Sequence, residues 1–150
     1  MNRMSGVERS PVVLVVDDHE DTRQMSLLVL RSQGFSAMAA CGGEAGFVCA
    51  AEQRPDVIVT DLAMPDVDGW DFVQRLSSDP RTKNIPVVML TACGTEAVRQ
   101  RARAEGVAAF FFKPCSPDVL AAELRRLVSA RAPSAVLRRR RRSPLPFLRS

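Results

Sequence analysis

The sequence predicts an α/β fold, a five-stranded parallel sheet with helices on both faces. Three observations carry this. Short apolar runs alternate with amphipathic segments of helical period along residues 11–130. Two of the runs, Val12-Val13-Leu14-Val15-Val16 and Val57-Ile58-Val59, are continuously apolar, the pattern of strands buried on both faces. The runs also end on polar or charged residues: Asp17-Asp18, Asp61, Thr91 and Lys113. A charge cannot continue inward from such a strand, because an unpaired ion in the core costs too much.

The elements follow in order. The first strand spans 12–16, and a helix over 20–33 presents Met25, Leu28 and Val29 on one face, with Gly34 as its C-terminal cap. Residues 35–40 form a second, alanine-weakened strand, and 43–52 a helix with Ala45, Val48 and Cys49 facing in. The third strand is 56–61, and a helix over 69–77 carries the stripe Phe72, Val73, Leu76. The polar stretch 78–85 reads as turns. The fourth strand begins at Pro86, where a missing N–H is tolerated, and runs into Thr91. Thr95 caps a helix that reaches Glu105 and stops at Gly106. The fifth strand is Ala109-Phe110-Phe111-Phe112. Ser116 and Pro117 then open a helix with Leu120, Leu124, Leu127 and Val128 on one face.

Composition sets limits on function. At 150 residues, 46% hydrophobic and 25% charged, the chain is an ordinary soluble globule with one domain. No run approaches the roughly 20 apolar residues of a membrane span, and residues 1–10 form a leader without the apolar stretch of a secretory signal. Cys41, Cys49, Cys93 and Cys115 lack metal-site spacing and read as small buried hydrophobes. A reduced, cytoplasmic setting follows. The net charge is +4, but residues 131–150 hold seven arginines and no acid, which leaves −3 for the first 130. That Arg/Pro-rich tail is expected to be disordered when alone.

All strands of a parallel sheet end on one edge, where open α/β sheets bind their ligands. Asp17, Asp18, Asp61, Thr91 and Lys113 should converge there. Clustered carboxylates make a hard-oxygen site of the kind Mg²⁺ prefers. Without a cation they would raise one another's pKa. A lysine and a hydroxyl beside them supply what phosphoryl transfer needs, charge neutralisation and positioning.

On these residues the chain resembles the response-regulator receiver domains of two-component signalling, in their chemotaxis-type single-domain form. The resemblance covers about residues 11–130. It rests on Asp17-Asp18, Asp61, Met64-Pro65-Asp66-Val67-Asp68-Gly69, Thr91-Ala92 and Lys113-Pro114. It implies a flavodoxin-like fold with strand order 2-1-3-4-5, and it implies that Asp61 is the phosphoacceptor. It also implies that Asp18, Asp61 and the Ala63 backbone carbonyl bind Mg²⁺ directly, with Asp17 acting through water. Thr91 and Lys113 would contact the phosphoryl group, the Lys113–Pro114 peptide would be cis, and Phe110 would be the aromatic switch. On phosphorylation, Thr91 would move and Phe110 turn inward, reshaping the surface of residues 95–128 for a downstream target. The donor would be a sensor histidine kinase or a histidine phosphotransfer protein. The protein itself would be an acceptor that assists its own phosphorylation and dephosphorylation, not an enzyme. No effector domain is expected after the last helix.

Other residues have plainer readings. His19 reads as a surface residue, Asp66 and Asp68 as turn formers, and Trp70 as packing. Ala63 and Cys93, two residues after Asp61 and Thr91, depart from the amide and carboxylate side chains that would orient an attacking water. Two rival classes remain. An aspartyl-phosphate phosphatase would need Asp-x-Asp, but Ala63 holds the second position. A nucleic-acid-binding protein is suggested only by the tail. There, Arg138 to Arg142 would bind nucleic acid or another acidic partner only non-specifically.

Overall fold

The structure is a computed structural model that describes the backbone of residues 9–142 and the side chains of 9–131. The leader assigned to 1–10 lies, apart from its last two residues, outside the described residues, as does the tail from 143 on. The described residues form five strands and five helices in strict alternation. These are β1 (Val12–Val16), α1 (Glu20–Ser32), β2 (Ser36–Ala40), α2 (Gly43–Gln53), β3 (Val57–Thr60), α3 (Gly69–Ser78), β4 (Val87–Thr91), α4 (Glu96–Ala104), β5 (Ala109–Phe112) and α5 (Pro117–Arg142). All strand pairs are parallel, in the order β2-β1-β3-β4-β5, as the sequence predicted. None of the described helices is long and apolar enough to cross a membrane.

Alternation within the strands divides the core into two layers. Leu14, Val16, Ile58 and Met89 face Ala50, Phe72, Leu76 and Ala102 of α2, α3 and α4. Val13, Val15, Val57, Val59 and Val88 face Leu30 of α1 and Leu120, Ala121 and Leu124 of α5. Full burial of such side chains stabilises the fold by about 1.5–3 kcal/mol each relative to exposure. That gain holds the central strands rigid, so their carboxyl ends make a fixed rim.

Two helix faces differ from expectation. α1 buries Leu27 and Leu30, and leaves Met25 and Leu28 61% and 64% exposed. Four consecutive apolar residues, Leu27 to Leu30, cover more of the helix than one face, so periodicity alone cannot choose among them. α2 packs through Gly43, Gly46, Ala50 and Ala51, while Ala45 and Val48 are exposed and Cys49 is half-buried. Hydropathy misses this face because Gly46 is its centre. A Cβ there would stand 2.9 Å from a Val16 methyl carbon and 3.1 Å from the Phe72 ring, so only glycine lets α2 lie this close to the sheet.

Two further expectations are corrected. The cysteines are free but not buried: Cys41 and Cys93 are exposed, and Cys49 and Cys115 are half-buried. Cys49 and Cys115 pack against the margins of the two layers. The last helix does not end near Ala130, because α5 continues to Arg142 and includes Pro133. Alanine, leucine and arginine are strong helix formers. They carry the backbone past the single hydrogen bond that proline cannot donate.

Candidate functional site

The parallel sheet brings the strand ends together. Asp17 follows β1, Asp61 follows β3, Thr91 closes β4 and Lys113 follows β5. Lys113 Nζ sits between two carboxylates, 3.2 Å from Asp17 Oδ2 and 3.2 Å from Asp61 Oδ2. Asp17 and Asp61 are 4% and 8% exposed, so these are short ion pairs at the edge of the core. Burial alone would lower the Lys113 pKa. The charges and hydrogen bonds of Asp61 and Asp17 outweigh it, and the ammonium is held above its ordinary value.

Each carboxylate is aimed by backbone. Asp61 Oδ1 accepts from the Leu62 N–H at 2.6 Å and the Ala63 N–H at 3.3 Å. Asp17 Oδ1 accepts from the His19 N–H at 2.9 Å. Thr91 is fully buried, and its Oγ1 accepts from the Cys93 N–H at 3.1 Å, which ties the hydroxyl to the loop after β4. The Lys113–Pro114 peptide is cis.

A divalent cation fits this donor set. Asp18 Oδ1 is buried and has no hydrogen-bond partner. His19 Nδ1 lies 3.3 Å from it, within ion-pair range but not hydrogen-bonded. A buried carboxylate oxygen without a donor is costly unless a cation takes that place. Ligand atoms of Asp17, Asp18 and His19 all lie within 4.8 Å of one another. The sequence reading grouped the two acids with Asp61 and left His19 as a surface residue. In the structure Asp61 joins Asp17 through Lys113, and His19, although exposed, stands beside both acids. Its position directly after the acidic pair was the available signal.

The aromatic element also differs from expectation. Phe110 is already buried at 9% exposure, packed edge-on to Phe112 with ring centroids 5.2 Å apart. The exposed ring is Phe112, at 39%. The Arg99 guanidinium lies over both rings, 5.5 Å from Phe110 and 4.9 Å from Phe112. Phe110 is therefore already the inward ring of the pair in this structure. Phe112 is pressed against the β4–α4 loop, where a Cβ on Gly94 would meet ring carbons at 2.1 and 2.2 Å. Phe112, the residue preceding Lys113, thus packs on the loop after Thr91, a contact between distant segments that sequence reading missed.

The two acids read as turn formers have capping roles. Asp68 accepts from the Asp71 N–H at 3.0 Å and caps α3. Asp66 accepts from the Gly43 and Glu44 N–H groups, both at 3.2 Å, and caps α2 from across the rim.

Comparison with known proteins agrees with this geometry. The family model of the response regulator receiver domain matches residues 13–125. The chain belongs to that family. The receiver is 35% identical over 124 residues to the phosphate regulon transcriptional regulatory protein PhoB of Escherichia coli, covering 83% of this chain and 54% of PhoB. It is 32% identical over 131 residues to the response regulator PleD of Caulobacter vibrioides, covering 87% of this chain and 29% of PleD. It therefore spans about half or less of these curated relatives. Among solved structures it is similar to the chemotaxis protein CheY4 of Vibrio cholerae, with TM-score 0.74 and 31% identity over 79% of this chain and 98% of that one. Both the fold and the signalling class assigned from the sequence are thus shown.

Proposed function

We propose that this receiver is a cytoplasmic regulator that accepts a phosphoryl group on Asp61 from a phosphohistidine. The donor is a sensor histidine kinase or a histidine phosphotransfer protein. The observation that carries this reading is Lys113 Nζ at 3.2 Å from both Asp17 and Asp61, beside a buried Asp18 oxygen with no partner. Asp18, Asp61 and the Ala63 carbonyl would hold Mg²⁺, with Asp17 helping through water, and the ion would supply charge neutralisation. The Leu62 and Ala63 amides fix Asp61 Oδ1 and so set the orientation of the carboxylate. An Asp61 oxygen forms the new O–P bond as the donor's N–P bond breaks. Lys113 then turns its ammonium toward the transferred phosphoryl oxygens, and Thr91 Oγ donates to one of them. The protein is consumed as an acceptor and turns over only through loss of phosphate.

Thr91 cannot move without its loop, because Oγ1 holds the Cys93 N–H and Gly94 touches Phe112. The signal therefore passes by repacking the Phe110–Phe112–Arg99 stack, not by burying an exposed Phe110. That stack borders a cavity of about 260 Å³ between α4 and β5, lined among others by Arg99, Arg103, Val107 and Phe110. Repacking there reshapes the 95–128 surface that a downstream protein reads.

The test is labelling with acetyl phosphate or phosphoramidate, with and without Mg²⁺, followed by intact mass. One Mg²⁺-dependent phosphoryl adduct is expected for the wild type and none for Asp61→Asn. No adduct under any condition would instead make the protein a phosphorylation-independent binding module.

A further inference from the structure

We propose that His19 completes a site for a transition-metal dication of the Zn²⁺ class, with Asp17 and Asp18 as the other two ligands. The inference rests on the cation pocket of the phosphoacceptor reading and adds to it a ligand that Mg²⁺ does not seek. Asp17 divides its oxygens. Oδ2 receives Lys113, while Oδ1 lies 3.4 Å from His19 Nδ1 and accepts from the His19 backbone N–H at 2.9 Å. The same Nδ1 stands 3.3 Å from Asp18 Oδ1, the buried oxygen without a hydrogen-bond partner. His19 is the N-cap residue of α1, yet its side chain caps no amide, and the ring turns back toward the acids.

Two oxygens thus face one ring nitrogen without hydrogen-bonding to it, as ligands do around a shared ion. In a tetrahedral Zn²⁺ site with bonds of about 2.0 Å, ligand atoms stand about 3.3 Å apart. In an octahedral Mg²⁺ site with bonds of about 2.0–2.1 Å, neighbouring ligands stand about 2.9 Å apart. The two measured edges, 3.3 and 3.4 Å, match the tetrahedron. Donor chemistry agrees with the spacing. Imidazole suits Zn²⁺ and its neighbours in the first transition row, whereas Mg²⁺ prefers oxygen and retains its waters. Three protein ligands leave a fourth position open, the pattern of reactive zinc sites and not of structural ones. The two ligand sets share Asp18, so Zn²⁺ and Mg²⁺ compete for the pocket. The exposed ring gives the ion a path from solvent.

The test is isothermal titration calorimetry of the full chain with Zn²⁺ and, separately, Mg²⁺, at neutral pH and without a phosphoryl donor. It compares wild type with His19→Ala. The substitution should weaken Zn²⁺ binding by roughly tenfold or more, since even a group that merely supports a ligand is worth that much. It should change Mg²⁺ binding by less than about twofold, because that ion takes oxygen ligands. His19 is the only histidine of the chain, so its ring resonances are read directly by NMR. Zn²⁺ should shift them more than Mg²⁺ does. If the ring merely pairs with the acids, Zn²⁺ binds no better with it than without it. Equal Zn²⁺ affinity in the two proteins, ring resonances unmoved by Zn²⁺, or Zn²⁺ binding lost only when Cys41 and Cys93 are replaced by serine would overturn the proposal. Any of these alongside an Mg²⁺-dependent adduct on Asp61 would overturn this inference alone and leave the phosphoacceptor reading standing.

Discussion

At the scale of single residues, the pocket is built from one ammonium that answers two buried carboxylates, and its chemistry depends on what stands beside them. Ala63 and Cys93 are both exposed at the rim. Neither side chain presents an amide or carboxylate to orient water against a phosphorylated Asp61, so the lifetime of that state is set by something other than these positions. Ala63→Asn should therefore change the rate of phosphate loss. One added hydrogen bond to the attacking water, about 0.5–1.5 kcal/mol, corresponds to roughly two- to tenfold. The decay of the phosphoryl adduct by intact mass measures it, and an unchanged rate would count against this view. The pocket residues were legible in the sequence because each ends its own strand, and a parallel sheet carries all strand ends to one edge. Phe112 and Gly94 were not, because they meet only when distant segments pack, and His19 was missed although its place after the acidic pair signalled it.

At the scale of elements, α2 shows what sequence reading can and cannot reach. Its own N-cap residue is Gly42, which has no side chain to offer, and Asp66 from the loop after β3 takes that role. The hydrogen bond from the Val67 amide, then that from Glu44, hold the Asp66 carboxyl below its ordinary pKa. A group with a depressed folded pKa stabilises the fold above its unfolded value, near 3.9, and loses that contribution as pH falls through the folded value. Asp66→Ala should cost about 0.5–1 kcal/mol at pH 7, the lower part of the range for a lost cap because the site is exposed. Urea unfolding of both proteins at pH 7 and near pH 2.5 would show the gap closing in acid. A difference that persists at low pH would mean that Asp66 acts by packing. Caps supplied within an element, such as Thr95 for α4, were legible. A cap supplied across the rim was not, and the same holds for helix faces built on Gly46, which carries no hydropathy.

At the scale of the whole molecule, two apolar layers support a rim that is electrostatically unfavourable by itself. Asp17 and Asp61 meet there on Lys113, while Asp18, beside His19, keeps a buried oxygen without a donor. Such an arrangement sacrifices stability in the metal-free state for a pocket ready to bind a cation and a phosphoryl group. Asp18→Asn removes one charge and gives the orphaned position an amide. Without metal it should therefore be more stable than wild type by about 1 kcal/mol, or about 2–4 °C in Tm for a chain of this size. Mg²⁺ should reverse the ranking. At a hundredfold excess over Kd, binding adds about 2.7 kcal/mol to the wild type, and far less to a variant lacking the Asp18 ligand. Thermal unfolding of both proteins in EDTA and in millimolar Mg²⁺ measures the four values. A wild-type Tm indifferent to Mg²⁺ would show that the rim is balanced by Lys113 alone. A rise confined to the wild type would show that the strain at Asp18 is the part of the fold reserved for the metal.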